Sequence, residues 1–437
     1  MKKTALYLII CMCLILTSAH AGLAQAQAPI PEEQTRPHFP QDLLENDDEP
    51  WLRHLDVEPQ EEREFIPPTE ESLKRTQEQV QAFDCGTVTD VLRTECEALV
   101  ALYENTNGTA WKDNTNWLTT TTVGNWKGVT VESSHVIEIV LLSNKLSGTI
   151  PSELGQLSNL EYVFLGNNQL SGTIPSELGQ LSNLAGLSLG NNHLTGSIPS
   201  ELGQLSKLEI LYLYSNHLTG TIPRELGQGS NLRSLTLGRN RLSGTIPSEL
   251  GQLSNLVNLY LYNNQLSGTI PSELGQLSKL EFLILNNNHL TGTIPSVLGQ
   301  LSKLEFLYLH NNQLSGTIPS KLGQLTQLIY LDINHNQLRG SMPSEIGNLT
   351  KLLHFDVSHN YISGDVPVSF ANLINLCVEG DLGSPCHGVY KTDLGYNLLN
   401  VPQPNPPSAF MYEKDPDWDK TQVGRRYFNY MPIIATK

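Results

Sequence analysis

The chain has 437 residues, only 16% of them charged, and a formal charge of −17. Residues 29–84 hold 16 acidic and 5 basic side chains (net −11), whereas residues 136–375 hold 15 and 11 (net −4), so the acidity sits mainly in one N-terminal segment. No basic patch is present to neutralise phosphate, which excludes nucleic acid as an expected partner.

The N-terminus, MKKTALYLIICMCLILTSAHAGLAQAQA, joins two lysines to an apolar run from Ala5 to Leu16 and to small-residue sites such as Ala24-Gln25-Ala26. Residues 1–28 therefore read as a secretory signal peptide, with an uncleaved anchor as the alternative. Cys11 and Cys13 would leave with it. No second apolar run is long enough to span a bilayer, so the mature chain is expected to be exported and soluble.

Cys85, Cys96, Cys377 and Cys386 remain, as two sequence-local pairs at either end of the chain. In an oxidising compartment each pair reads as a disulfide. Residues 29–84 are rich in Pro, Glu, Asp and Gln and have too few apolar residues to offset ordering entropy; they read as a disordered acidic leader. Within it, EPWLRHLDV is a weak candidate docking motif.

From Leu92, through Cys96, Leu99, Val100 and Tyr103, apolar residues recur at helical spacing, which predicts a helix over 90–104 capped by Thr89 or Asp90. Trp111, Trp117 and Trp126 follow. They could stack on a sugar, but large aromatics also cover the open end of a coil stack, and residues 85–135 read as such a cap.

From Val136 a period takes over. Ten asparagines from Asn144 to Asn360 stand 24 residues apart, as do the glycines from Gly148 to Gly364 and the prolines from Pro151 to Pro367. Each repeat opens like Leu160-x-x-Val163-x-Leu165-x-x-Asn168-x-Leu170. The alternation predicts a short strand, and one strand per coil stacks into a parallel sheet with rungs about 4.8 Å apart. The inward Asn is expected to pair backbone groups of the turn. Gly172 permits a bend, Pro175 fixes direction, and SELGQL crosses the far side as a turn or single helical turn, burying Leu178 and Leu181. Where nine repeats have Leu at the GQL position, one has Gly229, a predicted packing defect.

The pattern LxxLxLxxNxLxGxIPxxLGxLxxL resembles the plant-type leucine-rich repeat of receptor-like kinase ectodomains and polygalacturonase-inhibiting proteins. The resemblance implies an α/β solenoid, a right-handed superhelix with a concave parallel β-sheet, spanning ten repeats over 136–375. ALVALYENTNGTAWKDNTNWL and WKGVTV resemble the family's N-terminal cap, with one departure: Gly124 and Val131 stand where the cap commonly has cysteines, so Cys85–Cys96 would replace that bridge. CVEGDLGSPC resembles the C-terminal cap, and Leu394, Asn397 and Leu399 fit a degenerate eleventh coil within 376–400; residues 401–437 read as an irregular tail. The MKK start suits a bacterial member.

No catalytic constellation is visible: the serines recur in turn contexts, and no Gly-x-Ser-x-Gly, phosphate loop or His-Glu-x-x-His occurs. No cofactor is implied. What varies is the outward strand positions. One column runs Phe164, Ser188, Tyr212, Thr236, Tyr260, Ile284, Tyr308, Asp332, Asp356; beside it run Tyr162, Gly186, Ile210, Ser234, Asn258, Phe282, Phe306, Tyr330, His354. A third contributes Tyr214, Tyr262, Asn286 and His310. Stacked rings could merely stabilise the sheet, yet rigid tyrosines also provide binding area at low entropic cost.

Toward the C-terminus the columns turn polar, with Asp332, Asp356, His354, His335, His359 and His310. Two Asp one rung apart repel unless a cation or a basic ligand group joins them; a hydrated end of the groove, without metal, is the expectation. The sequence thus reads as an exported, non-catalytic protein that binds a protein or carbohydrate ligand on a concave aromatic face. The alternatives are an adhesive surface contacting ice or polysaccharide through the Thr and Ser columns around LSGTIP and, by resemblance, an inhibitor of a secreted polysaccharide-degrading enzyme.

Overall fold

The computed structural model describes residues 67–377 and 392–399. The signal peptide, most of the leader with its EPWLRHLDV motif, Cys386 and the tail from 401 lie outside the described residues. No helix among the described residues is long and apolar enough to cross a membrane.

The first element, α1 (Glu70–Ala82), corrects the leader, which was expected to be disordered through residue 84. Thr69 caps it by accepting from the Ser72 amide, and Glu70 and Glu71 complement the helix dipole in the first turn. It docks through hydrogen bonds more than through an apolar stripe. Buried Thr76 donates to Asn107 Oδ1 at 3.2 Å, and the Tyr103 hydroxyl donates to Gln79 Oε1 at 2.6 Å.

The next helix, α2 (Arg93–Asn105), starts three residues later than predicted, at a Leu92 cap without a side-chain bond. Asp90 caps a different turn: its carboxylate accepts from the Val123 and Gly124 amides at 2.9 and 2.7 Å. Cys85 and Cys96 are bridged, and Cys377 is disulfide-bonded. Tyr103, Trp111, Trp117 and Trp126 are buried as a chain of rings with centroids 4.9–5.1 Å apart from one to the next. Their indole N–H groups each donate to a backbone carbonyl, those of Thr106, Lys127 and Thr120. Burial removes these tryptophans from any open sugar-stacking patch.

An antiparallel pair, β1 (Val129–Glu132) and β2 (His135–Val140), then starts a twelve-stranded sheet. Every later strand adds in parallel: Tyr162–Phe164 on β2, and so on coil by coil to Thr392–Asp393. The far side of each coil is a 3-10 turn such as Ser176–Gln180, and between lie shorter parallel ladders around the Ser-Gly-Thr segments. Leucines from all three walls form one continuous core.

The repeating Asn ties coils together in one direction. Asn168 Oδ1 accepts from the Asn144 and Leu146 amides of the preceding coil, while its Nδ2 donates to the carbonyls of Leu141, Leu165 and Gly166. No apolar residue could pair these buried groups, each of which would cost about 1–3 kcal/mol unpaired. Asn144 is served by the cap, through the Asp113 amide and carbonyl. Asn397, 37 residues after Asn360, accepts from the Ile362 amide and donates to Val357, Leu394 and Gly395.

Candidate ligand face

The strand register assembles the variable positions into straight columns. Phe164 pairs Ser188, Ser188 pairs Tyr212, and the column continues through Thr236, Tyr260, Ile284 and Tyr308 to Asp332, Asp356 and Asp393. Tyr162, Gly186, Ile210, Ser234, Asn258, Phe282, Phe306, Tyr330 and His354 form its neighbour, headed by Glu138.

Rings stack along and between these columns. Phe282 and Phe306 lie parallel with centroids 4.7 Å apart, Tyr308 and Tyr330 at 4.4 Å, and Tyr330 and His354 at 3.8 Å. Exposure divides the aromatics in two. Tyr212, Tyr214, Tyr260 and Phe282 are half-buried, whereas Tyr162, Phe164, Tyr262, Phe306, Tyr308 and Tyr330 are buried, Tyr308 to 1% exposure. Ring contacts run through both groups, Tyr162 with Phe164, Tyr212 with Tyr214 and Tyr260 with Phe282.

Glycines provide the seats for two of the tyrosines. A Cβ on Gly190 would fall 2.4 Å from the Tyr214 ring, and one on Gly238 would fall 2.3 Å from Tyr262. This complement was not anticipated, although its signal is present as the alternation of LSLG and LTLG with LYLY in successive repeats.

Both ends of the face are acidic. Glu138, with Thr130 donating to its Oε2, has its pKa raised by burial, and the charge of Glu161 adds to the shift. Burial together with Glu209, Glu161 and Glu138 pushes the Tyr162 hydroxyl up to about 12. Glu305 is likewise raised by burial and by Glu281.

The polar end is not the hydrated groove expected. Asp332, His354 and Asp356 are only 3–5% exposed, because neighbouring rungs and the ring of Tyr330 close around them. His310 Nδ1 lies 2.9 Å from Asp332 Oδ2; its charge and hydrogen bond, with His354, outweigh burial and hold Asp332 below the usual carboxylate range. Asp356 is pushed up to about 7 by burial and by its neighbours Asp332 and Asp393. His335 and His359 stand apart, stacked on each other at 3.9 Å in left-handed turns.

Comparison with known proteins agrees with this architecture. The family described as Leucine-rich repeat region matches residues 223–341, and Leucine Rich Repeat matches 159–181, 183–205, 207–228 and 351–373. No curated protein matches the sequence. Among solved structures, the leucine-rich repeat ectodomain of the Arabidopsis thaliana receptor kinase GASSHO1/SCHENGEN3, in complex with CASPARIAN STRIP INTEGRITY FACTOR 2, is 37% identical at a TM-score of 0.63. The match covers 71% of this chain and 36% of that one. The Arabidopsis HAESA ectodomain with an IDA peptide hormone is 34% identical at 0.59, over 71% and 50%. The chain thus spans about a third to a half of these receptor ectodomains. A plant ice-binding protein is 30% identical at 0.55, over 64% of this chain and 90% of that one. Repeat period, sheet register, Asn ladder and these matches together place the chain in the leucine-rich repeat family, among the plant-type members.

Proposed function

We propose that this is an exported, non-catalytic binding protein that captures an extended peptide or protein segment on the outer face of its long sheet. The observation that carries the reading is the set of half-buried rings, Tyr212, Tyr214, Tyr260 and Phe282, held in register on one rigid face. Rigid rings contribute contact area with little ordering cost. Similar ectodomains bind peptide hormones, which supports a peptide over a small molecule. Combined Tyr212→Ala, Tyr214→Ala and Tyr260→Ala substitution should abolish affinity capture from the medium around the producing cells. An unchanged set of captured proteins from a folded variant would sink the proposal.

A second reading is favoured by one observation: Thr149, Thr173, Ser197, Thr221, Thr245, Thr269 and Thr293 form an exposed hydroxyl column at one residue per coil. Each Thr methyl packs against the glycine of the next coil, as Thr149 does on Gly172, so the array is regular. It borders a shallow groove of about 940 Å³ lined by Thr221, Pro223, Thr245, Pro247, Thr269 and Pro271. The similar plant ice-binding protein makes ice a test case. Thr221→Arg, Thr245→Arg and Thr269→Arg together should then abolish ice-crystal shaping and leave peptide capture intact.

A further inference from the structure

Coils nine and ten bring together an imidazole and two carboxylates that the ligand-face reading does not use. Asp332, His354 and Asp356 each offer one donor atom, and those atoms lie within 4.8 Å of one another. Asp332 and Asp356 are register partners on adjacent strands, and His354 faces the same side two residues before Asp356. Three donors on one Zn²⁺-like ion, each at about 2.0–2.2 Å, lie about 3.3–3.8 Å from each other. An inward side-chain shift of about 1 Å would close the set.

An outer layer already orients these groups. The Asn334 amide donates to Asp332 Oδ1 at 3.2 Å, its side chain donates to Asp356 Oδ2 at 3.0 Å, and the Ser358 amide donates to Asp356 Oδ1 at 2.9 Å. Asn286 Nδ2 meets His310 Nε2 at 3.0 Å, and His310 Nδ1 faces Asp332 Oδ2 at 2.9 Å. Such a chain of amide, imidazole and carboxylate fixes ligand orientation in metal centres. A second negative charge on Asp356, buried one rung from Asp332 and with Asp393 on the next, is costly unless a cation joins the carboxylates. The imidazole distinguishes the cluster from a merely acidic patch, since hard Ca²⁺ or Mg²⁺ takes oxygen donors.

We propose that Asp332, His354 and Asp356 form an interior site for a borderline divalent cation of the Zn²⁺ class, cross-linking coils nine and ten. The site stands independently of the ligand-face reading. The test uses the full exported chain, stripped with a chelator and titrated with Zn²⁺, with Ca²⁺ as comparator. One equivalent of Zn²⁺ should bind and raise the melting temperature of the wild-type protein, with no response to Ca²⁺. Asp332→Asn and Asp356→Asn should each weaken binding by about tenfold or more, while near-ultraviolet dichroism reports that both variants are folded. The double variant His335→Gln, His359→Gln should bind normally. Absence of Zn²⁺ uptake by the wild type would overturn the proposal. So would uptake that survives Asp332→Asn and disappears in the surface-histidine variant.

Discussion

The ring of Tyr214 lies over Gly190, one coil before it, so closely that a Cβ there would sit 2.4 Å from a ring carbon. The glycine therefore sets how deeply the tyrosine beds on the face. Gly190→Ala should lift the ring and cost about 1–3 kcal/mol, as overpacking generally does. Denaturant titration measures the stability loss, and fluorescence quenching of the tyrosines should show greater solvent access.

Gly229 places no side chain where the other nine coils have a buried Leu. Its φ and ψ of −72° and 69° match the −74° and 67° of Leu253 at the equivalent position, and an added Cβ would meet nothing nearer than 3.4 Å. Leucine can therefore adopt this backbone. Gly229→Leu should stabilise the protein by about 2–3 kcal/mol by filling the space that the other nine coils fill. A denaturation midpoint that fails to rise would show that the neighbouring coils have already collapsed into the gap.

Gly124 and Val131 touch: a Cβ on Gly124 would lie 3.4 Å from that of Val131, next to the roughly 3.5–4.5 Å range of disulfides. The double variant Gly124→Cys, Val131→Cys should oxidise spontaneously and stabilise the cap by about 2–3 kcal/mol. Mass spectrometry of the non-reduced digest detects the bridge. A free-thiol count of two would contradict the geometry.

Glu138 gives a pH signature. Burial raises its pKa, so the folded state holds the proton more tightly than the unfolded state does. Its contribution to stability is thus fully present below the unfolded carboxylate range and is lost as pH rises through the raised value. Glu138→Gln should raise the melting temperature at pH 7–8 and leave it nearly unchanged near pH 4. An equal shift at both pH values would mean that packing, not charge, is the cause.

The scaffold was legible because it is local and recurrent: Asn168, Gly172 and Pro175 do the same task in coil after coil. The columns were legible too, since a 24-residue period fixes which residues stack. What could not be read is whatever depends on neighbours of different identity. Helix α1 carries no apolar stripe, because Ser72, Thr76 and Gln79 dock by hydrogen bonds to partners 24–37 residues away. Asp90 looked like the cap of the helix that follows it, and serves a turn 33 residues on. The burial of Tyr308 and the closure around Asp332 follow from ring stacking between three coils, which no single repeat encodes.

The one-way Asn ladder constrains how such a protein can change in size. Each coil has its amides completed by the Asn of the next, and the caps join the same scheme at Asp113 and Asn397. Removing or duplicating a block of 24 residues reseals every one of these bonds. Evolution and engineering can therefore alter the reach of the outer face in whole steps of about 4.8 Å, one recognition position per column at a time.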